Sequence, residues 1–244
     1  MPPLPSRPDT PWRQLPLPFV HRPLYGAADF LPAPSNATAL AWLTRTADWP
    51  QHRLALWGAA GSGKTHLLSL WAARLGAVVL AGPVLPRDPA APSRALAIDD
   101  ADAAAERPLL HLLNAAAEAR MPVLLTGRTP PARWPVQLPD LVSRLRAVAA
   151  VELRPAEDSL LRALLARLLA ERQIAVPESV QDWLLARLPR TPAAMREVAA
   201  RLDRAALAAG RPVSRAVAAA VLEGLAEAAP EGAAAPPSDA PLLL

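Results

Sequence analysis

The stretch Gly58-Ala59-Ala60-Gly61-Ser62-Gly63-Lys64-Thr65 decides the fold, because it matches the phosphate-binding loop (P-loop) pattern G-x-x-x-x-G-K-[ST] at every fixed position. The short apolar run Arg53–Trp57 before it predicts a buried strand. The run 66–75 after it predicts a helix that ends near Gly76. Strand, glycine turn and helix are the context that this motif needs, so we prefer it to a chance glycine turn.

The P-loop predicts a site for the phosphates of ATP or ADP. Glycines at 58, 61 and 63 let the backbone turn tightly and aim its N–H groups inward, where they and the positive end of the helix hold phosphate oxygens. Lys64, the only lysine of the chain, would neutralise the β- and γ-phosphates, and the Thr65 hydroxyl would bind Mg²⁺. The nucleotide-binding residues expected here are Gly58, Ala59, Ala60, Gly61, Ser62, Gly63, Lys64, Thr65 and His66.

Composition narrows the class of protein. The 244 residues suffice for one large domain or two small ones, and the absence of Cys excludes disulfides and cysteine metal sites. A net charge of +4 does not by itself imply nucleic-acid binding. No apolar run reaches the roughly 18 residues of a membrane span, and the proline-rich start lacks the apolar core of a signal peptide. We therefore expect a cytoplasmic protein with no membrane association.

Further strands are predicted at 77–81, 94–98, 122–126 and 148–153, with helical segments between them. This alternation predicts an α/β fold with a parallel five-stranded sheet covered on both faces. Ligands of such sheets bind at the carboxyl ends of the strands. Gly58, Asp99 and Thr126 all fall at those ends, so we expect them to meet in one site.

The third strand ends in an acidic pair, which is the Walker B arrangement. Asp99 would bind Mg²⁺ directly or through water, and Asp100 would polarise the attacking water. The alternative is that the pair merely begins a turn. Asp102 is interpreted as the cap of the next helix. The fourth strand ends in Thr126, whose polar group would face the phosphates, with Arg128 as the alternative.

The nucleotide-binding domain is predicted over 24–154. Ser35 is expected to cap a helix over 37–44. Tyr25 and Phe30 could form the wall of an adenine pocket, although ordinary core packing is the preferred interpretation of both.

The proline-rich arm over 1–23 contains Gln14-Leu15-Pro16-Leu17-Pro18-Phe19, which resembles the motif by which bacterial replication proteins dock on the β sliding clamp. Prolines keep such a peptide extended and lower its ordering cost on binding. Leu15, Leu17 and Phe19 can fill apolar pockets, and Gln14 can fix the register by hydrogen bonds. The alternative is that the apolar side chains pack on this protein's own core.

Residues 155–228 are predicted to form a helical lid. One helix carries an apolar face opposite arginines, and another begins with Thr191 as its cap and Pro192 as its first residue. A small lid over a P-loop sheet provides a hinge that can report which nucleotide is bound. The remaining 229–244 are rich in proline and are expected to be disordered.

The segment Leu138-Pro139-Asp140-Leu141-Val142-Ser143-Arg144-Leu145-Arg146, together with the P-loop and the Walker B pair, resembles AAA+ ATPases of the DnaA group, and within that group the Hda-like regulators. The resemblance covers roughly 13–225. It implies that Arg144 is an arginine finger for ATP on a neighbouring subunit, that Thr126 is sensor 1 and that Arg196 is sensor 2. Without the resemblance, Arg144 and Arg196 would be interpreted as arginines in local ion pairs or facing solvent.

The resemblance implies an Hda-like regulator that binds ATP or ADP with Mg²⁺, docks on the β sliding clamp of DNA polymerase III and stimulates hydrolysis of ATP bound to DnaA. That activity would inhibit re-initiation of replication. The stretch after the lid is shorter than a helix-turn-helix domain, so no sequence-specific DNA binding is expected. The intact P-loop leaves two alternatives, an autonomous AAA+ ATPase of replication and an interaction protein that binds nucleotide only for stability. Self-association is left open.

Overall fold

A computed structural model describes residues 30–89, 92–210 and 212–227. The predicted clamp-binding residues Gln14, Leu15, Leu17 and Phe19 lie outside the described residues, as do Tyr25 and the tail over 229–244.

The centre of the structure is a five-stranded sheet in which every strand pairs in parallel with its neighbours. The strands are β1 (Arg53–Trp57), β2 (Val78–Ala81), β3 (Leu96–Asp99), β4 (Val123–Gly127) and β5 (Ala149–Glu152). Their order across the sheet is β2-β3-β4-β1-β5. The predicted parallel five-stranded sheet is therefore confirmed. The P-loop follows β1, which lies between β4 and the edge strand β5.

Eight helices accompany the sheet in the described part of the chain. They are α1 (Ala37–Thr44), α2 (Lys64–Leu75), α3 (Glu106–Glu118), α4 (Pro139–Arg146), α5 (Asp158–Glu171), α6 (Glu178–Leu185), α7 (Pro192–Ala209) and α8 (Arg215–Glu227). Side chains of β1 alternate between the two faces of the sheet. Leu54 and Leu56 pack with α1 and α2, whereas Ala55 packs with α3 and α4. The sheet is thus covered on both faces, as expected.

The last four helices form the lid, with a buried core of its own in which Leu165, Leu184, Val198 and Leu202 are fully covered. Thr191 accepts a hydrogen bond from the backbone N–H of Ala194 at 3.2 Å, which confirms it as the cap of α7. No helix in the described ranges has the length and apolar character needed to cross a bilayer.

Two predicted helix caps are wrong. Ser35 donates its hydroxyl to Glu157 Oε2 at 2.8 Å, and Asn36 precedes α1 instead. Asp102 accepts the backbone N–H of Arg128 at 2.7 Å, and Ala105 precedes α3. In both cases a partner far along the chain takes the side chain that a local pattern had assigned to a helix end.

Candidate phosphate-binding site

The P-loop joins β1 to α2 at the carboxyl edge of the sheet, and Lys64 lies within its curve. The ammonium donates to the carbonyls of Gly58 at 3.0 Å and Ala59 at 2.9 Å, and the side chain is 7% exposed. Burial is the main cause that lowers the pKa of Lys64, and the charge of Arg128 adds to it, while nearby carboxylates, Asp100 foremost, oppose it. An anion in this loop would offset the cost of burying the ammonium.

A polar cavity of about 280 Å³ opens above the loop. It is lined by Ala60, Gly61, Gly63, Lys64, Thr65, His66, Asp100, Arg128 and Arg196. Most of the predicted nucleotide-binding residues therefore line one space. Gly58 and Ala59 lie behind it and hold Lys64, and Ser62 lines an adjoining cavity.

The predicted magnesium residues lie in contact. Thr65 Oγ1 donates to Asp99 Oδ1 at 3.2 Å, as the P-loop and Walker B assignments require. Within the described ranges no three His, Cys, Asp or Glu side chains are grouped as a metal site. Mg²⁺ usually binds through one or two protein groups and completes its shell with water and substrate phosphates. The hydroxyl and the carboxylate fit that role, because they lie together beside the phosphate cavity.

Thr126 lies beneath the cavity, where it contacts Walker B. Its side chain is 0% exposed, and its hydroxyl donates to Asp99 Oδ1 at 2.6 Å and accepts the backbone N–H of Asp100 at 2.9 Å. We expected the terminal polar group of β4 to face the phosphates. The structure places Arg128, the alternative, in the cavity lining, whereas Thr126 contacts the acidic pair, of which Asp100 lines the cavity.

Asp100 has a backbone conformation that few residues adopt. Its φ of 48° is left-handed, and its side chain lines the polar cavity. Gly82 packs against the back of this turn, and a Cβ at position 82 would lie 2.2 Å from the Asp100 carbonyl oxygen. Strained backbone of this kind collects at functional sites. Sequence analysis missed Gly82, because no pattern in the chain links it to the Walker B turn.

The lid contacts the P-loop at two points. Arg196 Nη2 lies 3.2 Å from His66 Nδ1, and since a guanidinium has only donors, this ring nitrogen accepts the hydrogen bond. Gly61, with φ of 76°, faces the first turn of α7, and a Cβ there would lie 3.0 Å from the Ala193 side chain. Both α2 and α7 therefore begin at the cavity, and their N-terminal ends favour an anion there.

A largely apolar cavity adjoins the polar one and shares Gly63, His66 and Arg196 with it. Phe30 lines it and meets the His66 ring edge to face at 5.5 Å. Ser62 lines the same space, and its hydroxyl is buried and has no hydrogen-bond partner in the described structure. Arg154, which sequence analysis did not single out, also lines it. An apolar cavity beside a phosphate site suits the base of a nucleotide.

Arg144 lies away from this site. It is half-buried on α4. Burial of Arg53 is the main cause that lowers the pKa of Arg53, and the positive charge of Arg144 lowers it further. Arg53 is the first residue of β1 and Gly58 follows the last, so they are separated by about 16 Å at 3.3 Å per residue. The Arg144 guanidinium has no hydrogen bond or ion pair with the described residues. The structure therefore does not bring Arg144 to the phosphate cavity of its own chain.

Solved structures share the fold of this chain. Domain III of the Thermotoga maritima replication initiation protein DnaA is 19% identical, with 83% of this chain and 97% of that domain covered and a TM-score of 0.70. The chain has the AAA+ fold. The replication initiator DnaA bound to AMPPCP and single-stranded DNA is 17% identical, with 73% and 64% covered and a TM-score of 0.62.

The AAA+ fold extends to the Thermotoga maritima RuvB Holliday junction branch migration motor, which is 20% identical, with 78% of this chain and 67% of RuvB covered and a TM-score of 0.59. No protein-family model matches the sequence, and no curated protein matches it either. At these identities the comparisons support the predicted AAA+ fold with its parallel sheet and helical lid, and the function has to be argued from the site.

Proposed function

We propose that this chain is an Hda-like regulator of replication initiation, which binds ATP or ADP with Mg²⁺ and presents Arg144 to ATP held by DnaA. Hydrolysis of that ATP would leave DnaA in its ADP form and limit re-initiation. The likeness of the fold to DnaA-type AAA+ modules supports a role in replication.

The observation that carries this proposal is the position of Arg144. It lies in the last turn of α4, and its charge acts on Arg53 at the amino end of β1. About 16 Å of strand separate Arg53 from Gly58 of the P-loop. An arginine finger acts on a phosphate held by a neighbouring subunit. A half-buried guanidinium without a partner among the described residues is suited to such an intermolecular contact.

Nucleotide binding by the chain itself rests on the adjoining cavities. The polar cavity offers Lys64, Thr65 and Asp100 for phosphates and Mg²⁺, and Asp99 is hydrogen-bonded to Thr65. The apolar cavity offers Phe30 for the base. We further propose that the hexapeptide over 14–19 binds the β sliding clamp, an assignment that depends on sequence alone.

The test is hydrolysis of ATP bound to DnaA, measured with and without this protein in the presence of sliding clamp loaded on DNA. An arginine finger is worth about 10³–10⁵ in rate, so Arg144→Ala should abolish the stimulation. Arg146→Ala is the matched control, since it removes an exposed arginine from the same turn of α4. Changing Gln14, Leu17 and Phe19 to Ala should remove the dependence on clamp.

Stimulation that survives Arg144→Ala would contradict the arginine-finger assignment. Stimulation that is equal with and without clamp would contradict the clamp-binding role of the arm while leaving the regulator proposal in place.

A second candidate is an autonomous AAA+ ATPase. It is favoured by the complete site in one chain, where Lys64, Thr65, Asp99, Asp100 and Arg196 lie around the same cavity or in contact with it. This candidate predicts hydrolysis by the purified protein without DnaA, and it predicts that Asp100→Asn abolishes that activity.

A further inference from the structure

The exposed apolar side chains of this protein are concentrated at the edge strand β2. Five large apolar side chains are exposed in the described part of the chain, and four of them lie in or beside this strand: Leu75, Val78, Val79 and Val84. The stretch 75–86 contains no charged residue, although 20% of the chain is charged. Apolar surface that is gathered in one place marks an interaction site, whereas apolar residues scattered singly do not.

One side of β2 presents free backbone groups. β2 ends the sheet next to β3, and within the described residues no strand lies on its other side. Val78 donates its backbone N–H to the carbonyl of Ala95 at 2.9 Å, toward β3. Because successive residues of a strand direct their backbone groups to alternate sides, those of Leu80 also face β3, and those of Val79 and Ala81 face outward. Sheets commonly protect such an edge with charged residues or proline, and β2 has neither.

This edge is complementary to a second copy of itself. When two β2 strands meet antiparallel with the two-fold axis at Leu80, Val79 of each copy lies opposite Ala81 of the other. Both residues direct their backbone groups outward, so each pair can exchange both of its N–H···O hydrogen bonds. Each pair also sets a large side chain against a small one, which avoids crowding. The strand has no charge that would require a partner of opposite sign, so a second copy satisfies it fully.

We propose that the chain forms a homodimer in which the β2 edges of two copies pair antiparallel and join their sheets into one. The contact uses the same surface on both copies, so it closes at two chains. β3 and β4 separate β2 from β1, the strand that leads into the P-loop, so the inference does not depend on the proposed function. Two short strands bury little area, and we therefore expect a weak dimer that forms in the micromolar range.

The experiment is sedimentation velocity of the full chain over about 1–100 µM, with Val79→Pro as the test variant. Proline removes the outward N–H of Val79 in both copies and leaves the hydrogen bonds to β3 in place, as edge strands tolerate. The dimer loses two hydrogen bonds at roughly fivefold each, so its dissociation constant should rise about 25-fold or more. Leu207→Ser is the control, because it removes an exposed apolar side chain from the lid helix α7 and should leave the dimer unchanged.

A disulfide tests the register, because the chain contains no Cys. In Leu80→Cys the two thiols would meet at the two-fold axis. The Cα atoms of such a non-hydrogen-bonded pair are about 4.5 Å apart, a separation that a disulfide can span. Mild oxidation should therefore convert Leu80→Cys into a covalent dimer, and it should leave Leu207→Cys monomeric under reducing-agent-free denaturing electrophoresis.

A chain that stays monomeric up to about 100 µM would overturn the proposal. If the amides of Val79 and Ala81 were protected from hydrogen exchange in that monomer, another segment would be the occupant of the edge. A dimer that survives Val79→Pro, or that Leu207→Ser weakens equally, would belong to another surface and would also refute the pairing. The absence of a covalent dimer in oxidised Leu80→Cys would refute the register. Melting temperatures verify that each variant folds, and Val79→Lys, which charges the edge, replaces the proline variant if that one does not.

Discussion

Replacing Thr126 by Val tests whether the end of β4 positions the Walker B pair. Valine keeps the volume and replaces only the hydroxyl by a methyl group. The change deletes the 2.6 Å hydrogen bond to Asp99. It also leaves the backbone N–H of Asp100, which donates to the Thr126 hydroxyl at 2.9 Å in the unaltered chain, without an acceptor. Because the side chain is 0% exposed, water cannot replace either bond at the hydroxyl. A hydrogen bond to a charged group and an unpaired buried donor are each worth about 1–3 kcal/mol, so we expect a loss of about 2–4 kcal/mol in the free energy of unfolding.

Urea unfolding measures this loss, with Thr126→Ser as the control that keeps the hydroxyl and removes a methyl group worth about 1 kcal/mol. The same variants report on function, since Asp99 shares a hydrogen bond with the predicted magnesium residue Thr65. Thr126→Val should reduce the gain in nucleotide affinity that Mg²⁺ provides, whereas Thr126→Ser should keep it. If the two variants unfold alike and respond alike to Mg²⁺, then the hydroxyl does not position Walker B and the reasoning is wrong.

Three further predictions follow from the P-loop and its neighbours. Gly61→Ala should weaken nucleotide binding about tenfold, because the added Cβ would meet the lid helix α7. Gly76→Ala is the control, since Gly76 has a similarly left-handed φ but faces open space, so both variants carry the same backbone strain of about 1–2 kcal/mol. Equal nucleotide affinities of the two variants would refute the lid contact. Gly82→Ala should lower the free energy of unfolding by about 2–3 kcal/mol, because the added Cβ would press on the Asp100 carbonyl oxygen. A free energy of unfolding, measured in urea, within about 0.5 kcal/mol of that of the unaltered chain is what a surface change would give, and it would contradict this prediction. Between the lowered pKa of Lys64 and its ordinary value of 10.5, the unfolded chain binds more protons than the folded chain, so the free energy of unfolding should rise with pH in that window. Lys64→Met should flatten this dependence of the free energy of unfolding on pH. An unchanged pH dependence, measured by urea unfolding, would count against the burial of this ammonium.

Much of the site could be predicted from local patterns. The P-loop residues and the flanking strand and helix are consecutive in the chain, and their geometry depends mainly on their own backbone preferences. The cap of α7 was also predictable, because Thr191 and its bonded N–H at Ala194 are three residues apart. The Thr65–Asp99 contact followed from the rule that parallel strands end at one edge, without knowledge of their order.

The misassigned side chains have distant partners. Ser35 bonds Glu157, 122 residues away, and Asp102 bonds the backbone of Arg128, 26 residues away. A local pattern predicts a helix cap for each because the competing partner is close only after folding. The bond to Ser35 also lowers the pKa of Glu157, an effect that no sequence pattern indicates.

By itself the sequence determined that the chain has a P-loop, a parallel sheet covered by helices and a helical segment after it, because apolar periodicity and glycine placement act between near neighbours. The strand order β2-β3-β4-β1-β5 was decided only by the tertiary structure. That order places β4 between β3 and β1, which brings Thr126 under Asp99 and Arg128 into the cavity with Lys64. It also places Arg144 near Arg53, away from the phosphates. These positions depend on packing between segments far apart in the chain, and such packing is fixed by the whole core and not by any one motif.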